Sequence, residues 1–211
     1  MRTPTLIALL AADATPPRPI APRLLLRAGA GLLAAVVLLM LVLGIRPDLR
    51  AALDEPVTRM KWLLPLAVAL PALYAALRMT RPQEHAVPAR WLPVLIGGGA
   101  LLWWLVAAIS AAPGTLWPDM RGNSAIQCLI SITLFGLLPL FPGLRVLAEG
   151  ASPAPARSGA MLGLACGGLA ACVYALHCNE DLPLFFLTWY GIGILIVATV
   201  GALAGRRMLR W

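Results

Sequence analysis

The sequence predicts an all-α integral membrane protein, a bundle of six transmembrane helices with its N-terminus and C-terminus cytoplasmic. Three observations lead there. Of the 211 residues, 60% are hydrophobic and 12% charged, with a mean hydropathy of +0.84, against roughly 25% charged residues in soluble domains. The apolar residues fall into blocks close to the ~20 residues that cross a hydrocarbon core as a helix. The basic residues are shared unevenly between alternate connections, which sets orientation.

Taken in order, the expected spans are Leu24–Gly44, Met60–Met79, Arg90–Ser110, Ala125–Leu147, Ser158–Leu176 and Leu184–Gly205. Residues 1–23 form a cytoplasmic N-terminal segment ahead of the transmembrane domain, residues 24–211. The first apolar run, from Leu24 to Ile45, outlasts the roughly 7–15 residues of a secretion-signal core and reads as a retained helix. The connections carry breakers and charges: Arg46-Pro47-Asp48, Arg81-Pro82-Gln83-Glu84, Pro118-Asp119-Met120-Arg121-Gly122 and Ser152-Pro153-Ala154-Pro155. No run alternates with period two, so helices rather than barrel strands satisfy the backbone in lipid. No internal repeat suggests transporter symmetry.

With the N-terminus inside, the inner segments hold twelve of the 17 basic residues. The outer segments hold Arg46, Arg50, Arg59, Lys61 and Arg121. The net charge of +8 thus comes from arginines flanking spans, not from a dense basic cluster, and no direct nucleic-acid binding is expected.

The chemically dense spot is the short turn His177-Cys178-Asn179-Glu180-Asp181, placed by this topology on the outer side. Cys128 lies at the same level, at the outer end of the fourth span. Two thiols at an oxidising surface can form a disulfide or offer soft ligands to a thiophilic metal, with His177 as an added nitrogen donor. They can equally be independent, inert packing residues. Glu180 and Asp181 would draw cations to the turn. Cys166 and Cys172, within the fifth span, read as packing residues, and Gly163, Gly167 and Gly168 as points of close helix approach.

Catalysis fares poorly, and the protein is not expected to be an enzyme. There is no CxxC pair, no glycine-flanked nucleophilic serine, and no charged residue in the middle of a span to mark an ion path. His85 and His177 fall on opposite sides of the membrane, which leaves no axial pair for a haem. No obligatory cofactor is expected, only transient binding of a thiophilic metal ion. The N-terminal segment has a sticky face at Leu6, Ile7, Leu9 and Leu10, closed by Asp13 and a proline-rich spacer. It suits either an interfacial helix on the lipid bilayer or a helix-in-groove ligand for a cytoplasmic partner.

Three segments carry a family resemblance: Leu6-Ile7-Ala8-Leu9-Leu10-Ala11-Ala12-Asp13, Gly44-Ile45-Arg46-Pro47-Asp48-Leu49, and Tyr174 to Phe185 around the His-Cys-x-Glu-Asp turn. With Trp189-Tyr190-Gly191 opening the last span, the chain resembles the NrsF-type family of six-span bacterial inner-membrane proteins, negative regulators of extracytoplasmic-function (ECF) sigma factors. The resemblance implies a multi-pass anti-sigma factor whose N-terminal segment holds an ECF sigma factor at the membrane. It also implies an outward cysteine pair, mapping onto Cys128 and Cys178, that senses an oxidant or heavy metal in a stress response. Family members commonly carry acidic residues before the Leu-Ile, where this chain has Thr3-Pro4-Thr5. The competing expectation is a membrane thiol-redox or metal-handling protein without sigma binding.

Overall fold

The computed structural model describes residues 3–12, 19–81 and 88–210, and all regular structure among them is helical. Asp13 and His85 lie outside the described residues, as does the side chain of Leu10. The order is α1 (Thr3–Ala12), α2 (Ile20–Val42), α3 (Leu49–Asp54), α4 (Pro56–Arg78), α5 (Leu92–Ile109) after a 3-10 turn at Pro88–Trp91, α6 (Leu116–Arg121), α7 (Ala125–Leu147), α8 (Pro155–Tyr174) and α9 (Pro183–Met208). Six stretches are long and apolar enough to cross a membrane: Ile20–Val42, Pro56–Arg78, Pro88–Ile109, Leu116–Leu147, Pro155–Tyr174 and Pro183–Met208.

Each stretch overlaps one expected span, and all six start earlier. Pro155, expected in a connection, stands in the first turn of α8, as Pro56 does in α4 and Pro183 in α9. A proline there loses no hydrogen bond, because the first helical N–H groups have no intrahelical partner, and its φ is already helical. Gly44 does end α2: it adopts φ +74°, and its N–H bonds back to the Leu39 carbonyl at 2.9 Å. The short helices α3 and α6 were not foreseen.

The α8–α9 hairpin is the centre of the bundle. α4 packs on α8, α2 packs on α7, and α7 touches both α8 and α9. In its most apolar stretch α8 is 61% buried, whereas the α5 span is only 6% buried and stands at the periphery. Small residues let the central helices meet. A Cβ on Gly163 would fall 2.6 Å from the Ala198 Cα, and one on Gly168 would fall 2.7 Å from the Pro65 carbonyl. Both obstacles are backbone, which cannot swing aside, so the close approach requires glycine.

Two ends of the bundle are distinct. At one, Arg23 pairs with Glu149, the Ala151 N–H bonds to the Thr80 carbonyl at 2.9 Å, and Leu24 shares a core cluster with Leu209. The start of α2 and the finish of α9 therefore meet there. The opposite end gathers the finish of α2, the starts of α4 and α7, and the α8–α9 turn.

Gly163→Ala is expected to lower the unfolding midpoint in mild detergent, by about 1–3 kcal/mol of overpacking. Gly97→Ala on α5, where a Cβ meets nothing within 4 Å, should be neutral or add up to about 1 kcal/mol.

Candidate functional site

The α8–α9 turn coils directly off its helix. The His177 and Cys178 N–H groups both donate to the Tyr174 carbonyl, at 2.9 and 3.1 Å. The left-handed Gly44 then swings the chain after α2 against this turn. There the Arg46 N–H donates to the Leu176 carbonyl at 2.9 Å, and His177 Nδ1 donates to the Gly44 carbonyl at 3.1 Å. His177 Nε2 accepts from the Gln127 amide at 3.3 Å, so the ring bridges α2 and α7. Glu180 accepts the Asn123 N–H at 2.8 Å, which fastens the α6–α7 connection to the same turn.

Two cations that the sequence places among loop charges turn out to be the centre of this end. Lys61, in the second turn of α4, is fully buried, and Arg46 nearly so. Lys61 Nζ donates to the Cys178 carbonyl at 2.7 Å and to Asp181 Oδ1 at 2.9 Å. Arg46 donates to the same carbonyl at 3.0 Å and binds both Asp181 oxygens at 2.8 Å. Its remaining donors hold both oxygens of Asp48, again at 2.8 Å. Two cations thus face two carboxylates, and the cluster is neutral. Asp181 attracts the chain's own cations. A signal for Lys61 was present in the sequence: Thr58, Lys61, Pro65, Ala69, Ala72 and Ala76 follow the three- and four-residue spacing of one helix face, and all are buried.

The electrostatics follow from these bonds. Partial burial pushes the Asp181 carboxyl up, but the hydrogen bonds from Arg46 and Lys61 outweigh it and leave the group below its ordinary value. Hydrogen bonding from Arg46 holds Asp48 down at about 2. The same bonds to Asp48 and Asp181 raise Arg46, which stays charged at any working pH.

Cys128 and Cys178 are brought together. Both are buried, at 0% and 2% exposure, and both carry free thiols. They share one core cluster with Tyr174, Phe185 and Tyr190, and with Ala35 and Leu39 of α2. The hydroxyls of Tyr174 and Tyr190 are buried there, that of Tyr174 facing Ser124 and that of Tyr190 facing the Cys178 thiol. Among the described residues, no group of three or more His, Cys, Asp or Glu side chains converges as a metal centre would need. His177 is turned to Gly44 and Gln127 instead. Cys166 packs in a separate cluster, and the Cys172 thiol donates to the Trp62 carbonyl at 3.5 Å. On α1, Leu6, Ile7 and Leu9 have exposed side chains.

A carboxylate with a lowered folded-state pKa adds stability above its unfolded value and loses it as pH falls through the folded one. Asp181→Asn should therefore cost about 1–3 kcal/mol at pH 7, less than for a fully buried pair because the Asp181 side chain is 33% exposed. The gap from the parent protein should close as pH drops below about 4. Melting curves of the two proteins between pH 7 and pH 3 check this, and a gap unchanged at pH 3 would contradict the clamp.

Comparison with known proteins places this arrangement in a family. Residues 10–211 match the family model NrsF, described as "Negative regulator of sigma F". The chain is 35% identical over 217 residues to "Probable anti-sigma-F factor NrsF" of Azospira oryzae, with both chains covered completely. It is 34% identical over 224 residues to "Anti-sigma-F factor NrsF" of Caulobacter vibrioides, again over 100% of both chains. No solved structure matches. With its six apolar spans and its full-length match, the chain belongs to the NrsF family of negative regulators of sigma F.

Proposed function

We propose that this protein is an inner-membrane anti-sigma factor that sequesters an ECF sigma factor at the cytoplasmic face and releases it when a periplasmic oxidant or thiophilic metal engages Cys128 and Cys178. The printed names of its relatives support the regulatory class. The observation that carries the sensing half is the burial of Cys128 and Cys178 in one cluster with Ala35 and Leu39 of α2. The excess of basic residues on the inner segments supports a cytoplasmic N-terminus.

In this reading α2 is the connecting rod. At one end it meets the thiol turn through Gly44 and Arg46. At the other it leads back, through a short connection, to α1. The exposed Leu6, Ile7 and Leu9 of α1 offer the apolar face that a sigma-factor groove would cover, with Leu10 and Asp13 adding to the contact. Linking or co-ligating the sulfurs alters how α7 packs on α2, and it also removes the Cys178 thiol from the buried Tyr190 hydroxyl that faces it. Such a signal shifts the equilibrium only as far as it favours one state over the other; a covalent or metal-bridged pair that forms in just one state meets the condition.

In cells carrying Cys128→Ser or Cys178→Ser, a sigma-dependent reporter should stay repressed and lose its response to diamide and to thiophilic metal salts. Induction at the parental level in both variants would refute the sensing half. Deleting residues 1–12 should abolish retention of the sigma factor in the membrane fraction. Retention by the truncated protein would move the contact to the inner loops.

A further inference from the structure

Lys61 presents a physical puzzle that the packing alone does not resolve. A fully buried ammonium pays a desolvation penalty that an apolar side chain of similar volume avoids, so burial of this kind often adds nothing to stability. Its bonds indicate another role. Of its two acceptors, one is the Asp181 carboxylate and the other is the main-chain carbonyl of Cys178. Arg46 repeats the pattern, with a guanidinium nitrogen shared between the same carboxylate and the same carbonyl. Two cations on one peptide oxygen is an unusual concentration of charge on a turn that ordinary backbone bonds could have closed.

We infer that Lys61 and Arg46 are positioning residues for Cys178: they pin its carbonyl so that its thiol is presented to Cys128. The inference rests on the reading that these two thiols act together. The Cys178 N–H is held by the Tyr174 carbonyl at 3.1 Å and its C=O by Lys61 and Arg46 at 2.7 and 3.0 Å. The residue is therefore fixed on both sides, from α8, from α4 and from the segment after α2. With the backbone fixed and the side chain buried, the thiol has little freedom of direction. Cys128 is fixed independently on α7, its N–H bonded to the Ser124 carbonyl at 2.8 Å. A disulfide tolerates Cα separations of only about 4.4–6.8 Å, so a turn free to drift would lose the pairing. Asp181, which balances the cations together with Asp48, sets where they stand and so acts on Cys178 through them.

The test uses the purified full chain in detergent or lipid discs, with no sigma factor. Lys61→Met keeps the length and apolar stem of the side chain, leaves Asp181 paired to Arg46, and removes one of the two donors to the Cys178 carbonyl. Diamide takes two electrons and two protons from the thiols as the S–S bond forms, and mass spectrometry follows the Cys128–Cys178 product. A small maleimide reports single alkylation of Cys178 in parallel. The parent protein should form the disulfide. Lys61→Met should form it more slowly by on the order of tenfold or more, as expected when a reacting group drifts by about an ångström, while single alkylation of Cys178 is unchanged or faster. Arg46→Gln should act in the same direction, with Arg46→Lys restoring part of the rate. The ratio of cross-linking to single alkylation, read well below each variant's melting temperature, separates loss of aim from loss of fold.

Cross-linking at the parental ratio in Lys61→Met and Arg46→Gln would overturn the inference, as would a parent protein that forms no disulfide. If the clamp governs cross-linking but cross-linking leaves sigma-factor affinity unchanged, the inference stands and the signalling role falls.

Discussion

Two cations stand at one end of this bundle away from water, and a single carboxylate, Asp181, faces both. Much of the rest follows from that constraint. A buried ammonium and guanidinium must be matched by anions and carbonyl oxygens. The segment after α2, the start of α4 and the α8–α9 turn are therefore held in one register. The Cys178 carbonyl is one of the oxygens used, so the electrostatic solution and the placement of the thiol are the same structural fact. The remaining contacts at this end, His177 between Gly44 and Gln127 and Glu180 beneath Asn123, tie α2, α7 and the α6–α7 connection to the same turn.

The bundle supplies a stiff frame for that turn. α8 and α9 approach through glycines whose substitution would run into backbone, and close packing of this kind does not deform gradually. α2 differs: its contacts run mainly along α7, and in its most apolar stretch only 11% is buried. An element so lightly held is the natural one to shift when α7 and the thiol turn change their fit. It is also the element that leads back toward the exposed apolar residues of α1.

Much of this was legible in the sequence. Six spans followed from hydropathy and length, and the common level of Cys128 and Cys178 near one end of the bundle agrees with their place in one core cluster. Gly163, Gly167 and Gly168 were rightly read as approach points, because residue size limits how near two backbones can come. Pro155 opens α8 where a connection was expected, since a proline in the first turn and a proline that breaks a helix look alike until the boundary is known. Lys61 and Arg46 were missed for a different reason. A basic residue near a span end reads the same whether it reaches toward the headgroups or turns inward. Only the phase of α4, shared with Ala69, Ala72 and Ala76, distinguishes the two. α3 and α6 are too short to leave a periodic signature.

In the proposed function, the state of the Cys128–Cys178 pair at one end of the bundle decides whether the N-terminal segment holds a sigma factor. The most direct measurement is the affinity of the full-length protein in lipid discs for its sigma factor, taken with the thiols reduced and again after cross-linking, with the disulfide verified by mass. Firm binding is expected in the reduced form, with a loss of affinity of about tenfold or more after cross-linking, the size of a typical coupling between two sites, restored by reductant. Equal affinity in the two forms would contradict it.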